Sequence, residues 1–411
     1  MNNSIRKLLL ILFPFYPLWA WVFHFGSNKP MGMFVNIILL PIAINFLATS
    51  KKKLPNYLLC FIAFTVYHLA SSYVNDTIPL TNNKLYWFLA DTHVYACTFF
   101  IIIECMDFDE EFISVMNRNI LILVGLSLIV SVIQTKDHMF FFNTAIDMTT
   151  VVAEGDLRIA SLYSWAGINS GGITFPILIA ILLNFYNTKS KAFPIVILCG
   201  MVVSFLTKAR FVMISTLIAF SQLFLNGMLS FKKIVSLFLI FAISVALIIY
   251  AAGQFGFNIN EVISSRIMEK DSEMVSAKAR IISYEVFMKK FPENPILGVG
   301  PETKPDVIAL LGDIPLIHIG YLCYLYYYGG IGCLFLFLAL FYLLRDSWRV
   351  GKQFGFWGSF YGILSFAIAN ITLVYFNFSE MGIVLAVIYI RFYKSNYLLV
   401  NSEGEIASSG S

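Results

Sequence analysis

The feature that most constrains this chain is a series of apolar stretches, poor in charge, that recurs from one end to the other. A helix needs about 20 apolar residues to cross the hydrocarbon core of a bilayer. The sequence predicts about twelve such helices, and therefore an all-α polytopic membrane protein. The predicted spans are residues 7–25, 31–49, 54–72, 86–103, 119–135, 167–187, 193–207, 210–228, 234–252, 317–344, 357–376 and 380–393.

The composition excludes a soluble globular domain. Of the 411 residues, 59% are hydrophobic and 13% are charged, and the mean hydropathy is +0.78. The net charge of +4 is spread along the chain, with no basic run that alternates with aromatic residues, so we expect no nucleic-acid partner. The six cysteines lack zinc-ligand spacing, and we expect neither a disulfide framework nor a metal site.

The distribution of lysine and arginine predicts the orientation, because cytoplasmic loops retain these residues. No small-x-small cleavage site follows the first apolar stretch, so we interpret it as an uncleaved span. With the N-terminus inside, the inner loops are richer in cations than the short outer loops, and both termini are cytoplasmic. The inner cations are Arg6, Lys7, Lys51, Lys52, Lys53, Lys189, Lys191, Lys232, Lys233, Arg345, Arg349, Lys352, Arg391 and Lys394.

Two outer segments are longer than simple connectors. One covers about 136–166 and the larger one about 253–316, a length typical of functional loops. The predicted organisation is nine spans in 1–252, the large loop in 253–316, three spans in 317–400 and a disordered cytoplasmic tail in 401–411. No internal repeat is visible, which argues against an inverted-repeat transporter.

The large loop contains a predicted helix and a predicted turn. The stretch SAKARIISYEVFMKKF has helical periodicity, ends before Pro292, and places Arg280 in line with Tyr284. The alternative for Arg280 is that it only packs on the aromatic residues of its own helix. The following ENPILGVGPETKP predicts a rigid loop in which Gly298 and Gly300 shape a turn.

Arg210 in SFLTKARFVMIS begins a span whose N-terminus faces outward. The free N–H groups there and a guanidinium fork predict a site for a lipid phosphate. The alternative is that Lys208 and Arg210 snorkel to the interface and only end a helix. His318 is predicted in the first turn of the tenth span, after Pro315, where the helix dipole favours the neutral imidazole that can accept a hydroxyl proton. We interpret the other histidines, His24, His68, His93 and His138, as structural.

Four stretches together resemble the O-antigen ligase/polymerase superfamily. SFLTKARFVMIS, SAKARIISYEVFMKKFPENPILGVGPE and LIHIGYLCYLYYYGGIGCLFLF occur in that family's order and approximate spacing, and DLRIASLYSWAGINSGG resembles its Arg-plus-Asn/Gly stretch. The resemblance covers roughly residues 155–345. It implies a GT-C-like glycosyltransferase of lipopolysaccharide biosynthesis in the bacterial inner membrane, with its site on the periplasmic face.

The resemblance also implies the chemistry and the partners. Donor and acceptor would be undecaprenyl-diphosphate-linked glycans, no metal or other cofactor would be needed, and a chain-length regulator would be a partner. Arg210 and Arg280 would hold the donor diphosphate, and His318 would lie beside the acceptor hydroxyl. Apart from the resemblance, further candidate substrate contacts are Arg158, Lys208, Tyr284 and Tyr321, and alternative bases are Glu154, Asp156, Glu302 and Asp313. The alternatives are a surface arginine for Arg158, interface anchors for the tyrosines and solvated loop carboxylates for the acids.

Three functions stay open at this point. Ligases of this family tend to carry a polar residue pattern after the histidine, whereas His318 is followed here by Ile-Gly-Tyr, which favours a polymerase. A ligase would instead transfer the glycan to lipid A-core. A lipid-linked oligosaccharide flippase, from a different class, would predict two similar halves and charged residues buried in the spans.

Overall fold

In the computed structural model, helices are the only regular secondary structure of the described residues, with 81% helix and no strand. It describes residues 2–12, 15, 28–50, 52–75, 88–89, 91–137, 140, 161–162, 171–186, 189–207, 210–225, 275–312, 316–371, 374, 376, 378 and 380–408. The helices are α1 (Asn2–Leu12), α2 (Asn28–Thr49), α3 (Asn56–Val74), α4 (Thr92–Cys105), α5 (Glu110–Gln134), α6 (Gly171–Phe185), α7 (Ala192–Leu206), α8 (Arg210–Leu225), α9 (Val275–Lys290), α10 (Pro305–Leu310), α11 (Gly320–Phe354), α12 (Gly358–Ala369) and α13 (Met381–Ser408).

Three of these helices, α3, α5 and α11, are long and apolar enough to cross a membrane. Several shorter apolar helices coincide with other predicted spans. Together they are compatible with a membrane protein, whereas the count of twelve spans stays a prediction. The ninth predicted span, 234–252, lies outside the described residues.

Local sequence signals explain where several helices begin and end. Asp109 precedes α5 and accepts a hydrogen bond from the backbone N–H of Phe112, while Glu110 and Glu111 lie in the first turn, where the helix dipole favours negative charge. At its C-terminal end, α11 stops at Gly355, which has a left-handed conformation with φ of 71°. The Asp109 cap and the left-handed Gly355 therefore mark helix ends that hydrophobic periodicity leaves undefined.

Helices α6 and α13 form the centre of the bundle. Residues 177–183 of α6 and 383–390 of α13 are almost completely buried. Because they are apolar on every face, they can only be stable when other helices surround them. Helices α7, α8 and α12 pack against α6 and complete the core.

Several ion pairs connect distant chain segments at one end of the bundle, the end at which α3 begins. Asp107 accepts hydrogen bonds from Lys52 and Arg391, at 2.8 and 2.9 Å between the N and O atoms. Asp346 accepts one from Lys394 at 2.6 Å, and Arg6 pairs with Asp109. Burial raises the pKa of the Asp107 carboxyl, but hydrogen bonds and charge from Lys52 and Arg391 outweigh it and lower the pKa overall.

Two boundaries differ from the sequence expectation. Helix α13 continues to Ser408, into the segment that the sequence predicts as a disordered tail. Helix α11 begins at Gly320, with Ile319 as its N-cap, so His318 precedes the helix and does not lie in its first turn. The helix-dipole argument for His318 therefore loses its basis, since the dipole acts on groups in the first turn.

A segment of the large loop, Pro295–Gly300, is joined to a break in α11. At Gly329 the backbone leaves the helical conformation, with φ of 60° and ψ of −167°. The N–H groups of Val299 and Gly300 donate to the carbonyls of Tyr326 and Tyr327, at 3.2 and 2.9 Å. In return, the N–H groups of Gly330 and Ile331 donate to the carbonyls of Pro295 and Ile296, at 2.8 and 3.1 Å. We call this arrangement the loop–helix joint.

Glycine makes the loop–helix joint possible at two positions. Gly298 and Gly329 have φ of 73° and 60°, in the left-handed region that glycine adopts readily. A Cβ atom on Gly298 would lie 2.3 Å from the carbonyl oxygen of Tyr327, and one on Gly329 would lie 2.4 Å from that of Ile296. The expected turn at Gly298 and Gly300 is confirmed, since both have positive φ.

We expect Gly298→Ala to lower the free energy of unfolding by about 3 kcal/mol or more, from left-handed strain plus a clash with rigid backbone. The control is Gly355→Ala, at an almost identical φ of 71° with nothing within 4 Å of the added carbon. That variant should lose only about 1 kcal/mol. Unfolding of both variants in nanodiscs, measured against wild type, gives the comparison. Equal losses would contradict the contact described at the joint.

Candidate functional site at the loop end of the bundle

Helix α9 of the large loop packs beside the start of α11. The hydroxyl of Ser283 accepts a hydrogen bond from the backbone N–H of His318, at 2.9 Å, and Ser283 is fully buried. Around this contact lies a small apolar cluster that includes Val286 and Phe287 of α9. Its other buried members are Val299, Val307, Leu311, Ile317, Cys323 and Tyr326. The cluster and the hydrogen bond together fix the backbone at His318 relative to α9.

Arg280 and His318 are close enough to interact electrostatically. The pKa of His318 is lowered first by partial burial of the ring and then by the positive charge of Arg280. Both side chains are nevertheless exposed. The positive charge of Arg280 thus favours the neutral form of the imidazole, and both groups are open to the surface. A neutral imidazole can accept a proton, and a guanidinium can bind two oxygens of an anion at once.

The remaining predicted site residues have different environments. Tyr284 is 52% exposed on α9, beside Arg280 on the open side of that helix. By contrast, the hydroxyl of Tyr321 donates to the carbonyl of Ala367 at 2.6 Å, and its ring packs on Phe337 and Phe376. That hydroxyl therefore already has a structural partner.

Three further cations that the sequence predicts at the site, Arg210, Lys208 and Arg158, are described only in part or not at all. Arg210 begins α8, as predicted for a helix N-terminus, but its side chain lies outside the described residues. Lys208 and Arg158 lie outside them altogether, as do Glu154, Asp156 and Asp313. The structure thus brings Arg280 and His318 together, while convergence of Arg210 on them stays a prediction.

A second polar cluster, which the sequence interpretation assigned only a structural role, is buried between α3, α4 and α11. His68 of α3 is hydrogen-bonded through Nε2 to Asp91 at 2.8 Å and through Nδ1 to the hydroxyl of Tyr328 at 2.9 Å. The side chains of His68 and Asp91 are only 7% and 9% exposed. We call His68, Asp91 and Tyr328 the buried triad.

Asp91 holds the buried triad to the start of α4. Its other carboxylate oxygen accepts hydrogen bonds from the backbone N–H groups of His93 and Val94, at 2.9 and 3.0 Å. It is therefore the N-cap of α4 and a partner of His68 at the same time. The ring of His93 lies 4.6 Å from that of His68, and its Nδ1 is buried without a hydrogen bond to any described residue.

The buried triad lies immediately next to the loop–helix joint. Tyr328 directly precedes Gly329, where α11 is broken, so the triad connects two neighbouring helices to the break itself. Ionisable residues inside membrane helices are costly to bury and are often functional. The signal in the sequence was a histidine, His68, in the middle of an otherwise apolar stretch, but its partners are 23 and 260 positions away.

Comparison with known proteins gives this chain no family assignment. No family model matches it, and neither does any curated protein.

We expect Asp91→Ala to cost about 3–5 kcal/mol, because it leaves His68 buried without its charged partner and removes a helix cap. Asp109→Ala is the matched control, since Asp109 also caps a helix through its side chain but is 55% exposed. There the loss should be about 1 kcal/mol. Both values follow from unfolding in mixed detergent micelles. An equal loss of unfolding free energy in the two variants would contradict this prediction, because the buried triad would then stabilise the fold no more than an exposed helix cap does.

We expect Arg280→Gln to raise the pKa of His318 toward its ordinary value of 6.5, because a neighbouring positive charge is removed. The pKa of His318 is lower in the folded protein than in the unfolded chain, so the folded state binds fewer protons. The folded state therefore becomes less stable as the pH falls below about 6.5. Arg280→Gln should reduce this loss. NMR titration of the imidazole measures the shift. Lys289→Gln, an exposed cation on the same helix, should leave the titration unchanged, and an equal shift in both variants would contradict the pairing.

Proposed function

We propose that this chain is a membrane glycosyltransferase of the O-antigen polymerase type. It would move a glycan from undecaprenyl diphosphate onto a lipid-linked repeat unit at the periplasmic face of the bacterial inner membrane. The observation that carries the proposal is the pair of Arg280 and His318. These residues are far apart in sequence but interact at an open surface beside the end of a candidate membrane helix.

In this mechanism the acceptor hydroxyl attacks the anomeric carbon of the donor sugar. The bond between that carbon and the diphosphate oxygen breaks, and its electron pair leaves with the lipid diphosphate. His318 accepts the hydroxyl proton, and Arg280 stabilises the negative charge that grows on the leaving group. Because this charge is largest in the transition state, Arg280 would accelerate the reaction and not only bind substrate.

The other expected residues complete the proposed site. Arg210 would supply a second guanidinium for the diphosphate, with Lys208 and Arg158 as further contacts. Tyr284, which is exposed beside Arg280, is available to stack on a sugar ring. Tyr321 would support the start of α11, directly after His318, since its hydroxyl already donates to the carbonyl of Ala367.

The buried triad favours a second candidate function. A flippase for lipid-linked oligosaccharides would predict two similar halves and ionisable residues buried in the spans, neither of which is clear in the sequence. His68 in α3 and Asp91 at the start of α4 are ionisable residues of this kind, with side chains 7% and 9% exposed. Chains of aspartate and histidine inside membrane helices are typical of transporters that move protons.

Deletion of the gene in its native host, followed by gel analysis of lipopolysaccharide, separates the candidates. Loss of a polymerase leaves core that carries a single repeat unit. Loss of a ligase leaves bare core and accumulated lipid-linked polymer, and loss of a flippase leaves bare core with lipid-linked single repeats on the cytoplasmic side. Either of the last two results would overturn the polymerase proposal.

We expect Arg280→Lys to reduce the rate of chain extension by about a hundredfold, because lysine keeps the charge but loses the two-pronged contact with phosphate oxygens. The measurement is in vitro extension of a purified lipid-linked repeat unit. Lys289→Arg, which changes an exposed cation about two and a half turns along the same helix, should retain wild-type activity. Near-normal extension by Arg280→Lys would contradict the assigned role.

A further inference from the structure

The tip of the Pro295–Gly300 segment presents two large apolar side chains to the outside. Ile296 is 62% exposed and Leu297 is 59% exposed. Exposed apolar residues on a loop are unusual when they are neighbours and their backbone is fixed. The position of this tip relative to the membrane decides what surrounds it.

Hydrogen bonds tie the backbone of the tip to two candidate membrane helices. The carbonyl of Ile296 accepts from the N–H of Ile331 in α11 at 3.1 Å. The carbonyl of Leu297 accepts from the hydroxyl of Tyr67 in α3 at 2.6 Å. Both α3 and α11 belong to the helices that are long and apolar enough to cross a bilayer. The tip is therefore held at the level of Ile331 and Tyr67.

Helix geometry gives that level as a depth. Tyr67 lies seven residues before the end of α3 at Val74, which is about 10 Å at 1.5 Å per residue. Ile331 lies eleven residues after the start of α11 at Gly320, about 16 Å.

A bound on this depth comes from the length of α11. Its uncharged stretch, residues 320–344, is about 37 Å long, roughly 7 Å more than the hydrocarbon core. For a helix along the bilayer normal whose whole excess projects on the loop side, Ile331 is still about 9 Å inside the core.

We propose that Ile296 and Leu297 insert among the acyl chains of the bilayer leaflet on the loop side, so that the tip is a lipid-contacting surface. The acceptors of the tip backbone are satisfied at this depth, because the carbonyls of Pro295, Ile296 and Leu297 all accept hydrogen bonds from the two helices. This inference holds whether or not the chain transfers glycans.

The exposed side of α9 agrees with a position at the membrane surface. Ile281, Tyr284 and Met288 form a stripe in which each side chain is more than half exposed. Arg280 and Lys289 lie on the two edges of that exposed side. Glu285 is also exposed, between the stripe and Lys289, so the apolar surface of α9 is narrow and consists of Ile281, Tyr284 and Met288.

A nitroxide spin label at Leu297→Cys tests the depth of the tip in the full chain, reconstituted into phospholipid nanodiscs. Oxygen is enriched in the hydrocarbon core, whereas a water-soluble nickel chelate stays in the aqueous phase. The ratio of their collision rates with the spin label therefore reports whether the label lies in lipid or in water. The control is Lys304→Cys, an exposed position four residues after the Pro295–Gly300 segment and directly before α10. Wild type treated with the same reagent gives the background from the native cysteines.

We expect the oxygen-to-nickel ratio at 297 to exceed that at 304 several-fold, and Ile296→Cys to give the same result if Leu297→Cys fails to fold. A ratio equal to that at 304 would place the tip in water and overturn the proposal. Low accessibility to both reagents would also overturn it, since the tip would then be covered by protein, either a partner or a second copy of this chain.

Discussion

The interaction on which the rest of this structure depends is the set of backbone hydrogen bonds between the large loop and the broken helix α11. A break in a membrane helix leaves N–H and C=O groups without partners, at a cost of several kcal/mol for each group in hydrocarbon. Here Val299 and Gly300 satisfy the carbonyls on one side of Gly329, and the carbonyls of Pro295 and Ile296 satisfy the N–H groups on the other. The loop is therefore part of the helix's own hydrogen-bonding pattern.

This joint fixes the two polar sites on either side of it. Toward the large loop, the apolar cluster around Val299 and Tyr326 holds α9 beside His318, and Arg280 with it. In the opposite direction, Tyr328 connects the break to His68 and Asp91 in the bundle. This arrangement gives the open pair of Arg280 and His318 a rigid base.

The sequence predicted the features that depend on local pattern, and missed those that depend on distant partners. Apolar stretches predicted helices such as α3 and α5, and Pro and Gly predicted the loop at Gly298. The break at Gly329 was missed because YYYGGIG continues an apolar helical pattern, and only the incoming loop makes the break stable. His68 was interpreted as structural because nothing near it in sequence reveals Asp91 and Tyr328 as partners. The helix start after His318 depends on Ile319, which carries no capping signal.

Amide hydrogen exchange in the 295–300 segment tests the loop–helix joint most directly. An ordinary exposed loop exchanges its amide hydrogens at nearly the rate of an unfolded chain, because local opening costs almost no free energy. The account predicts that Val299 and Gly300 exchange as slowly as the amides in the middle of α11, since opening them breaks the helix as well. Complete exchange of these two amides at the earliest time point in nanodiscs would contradict it.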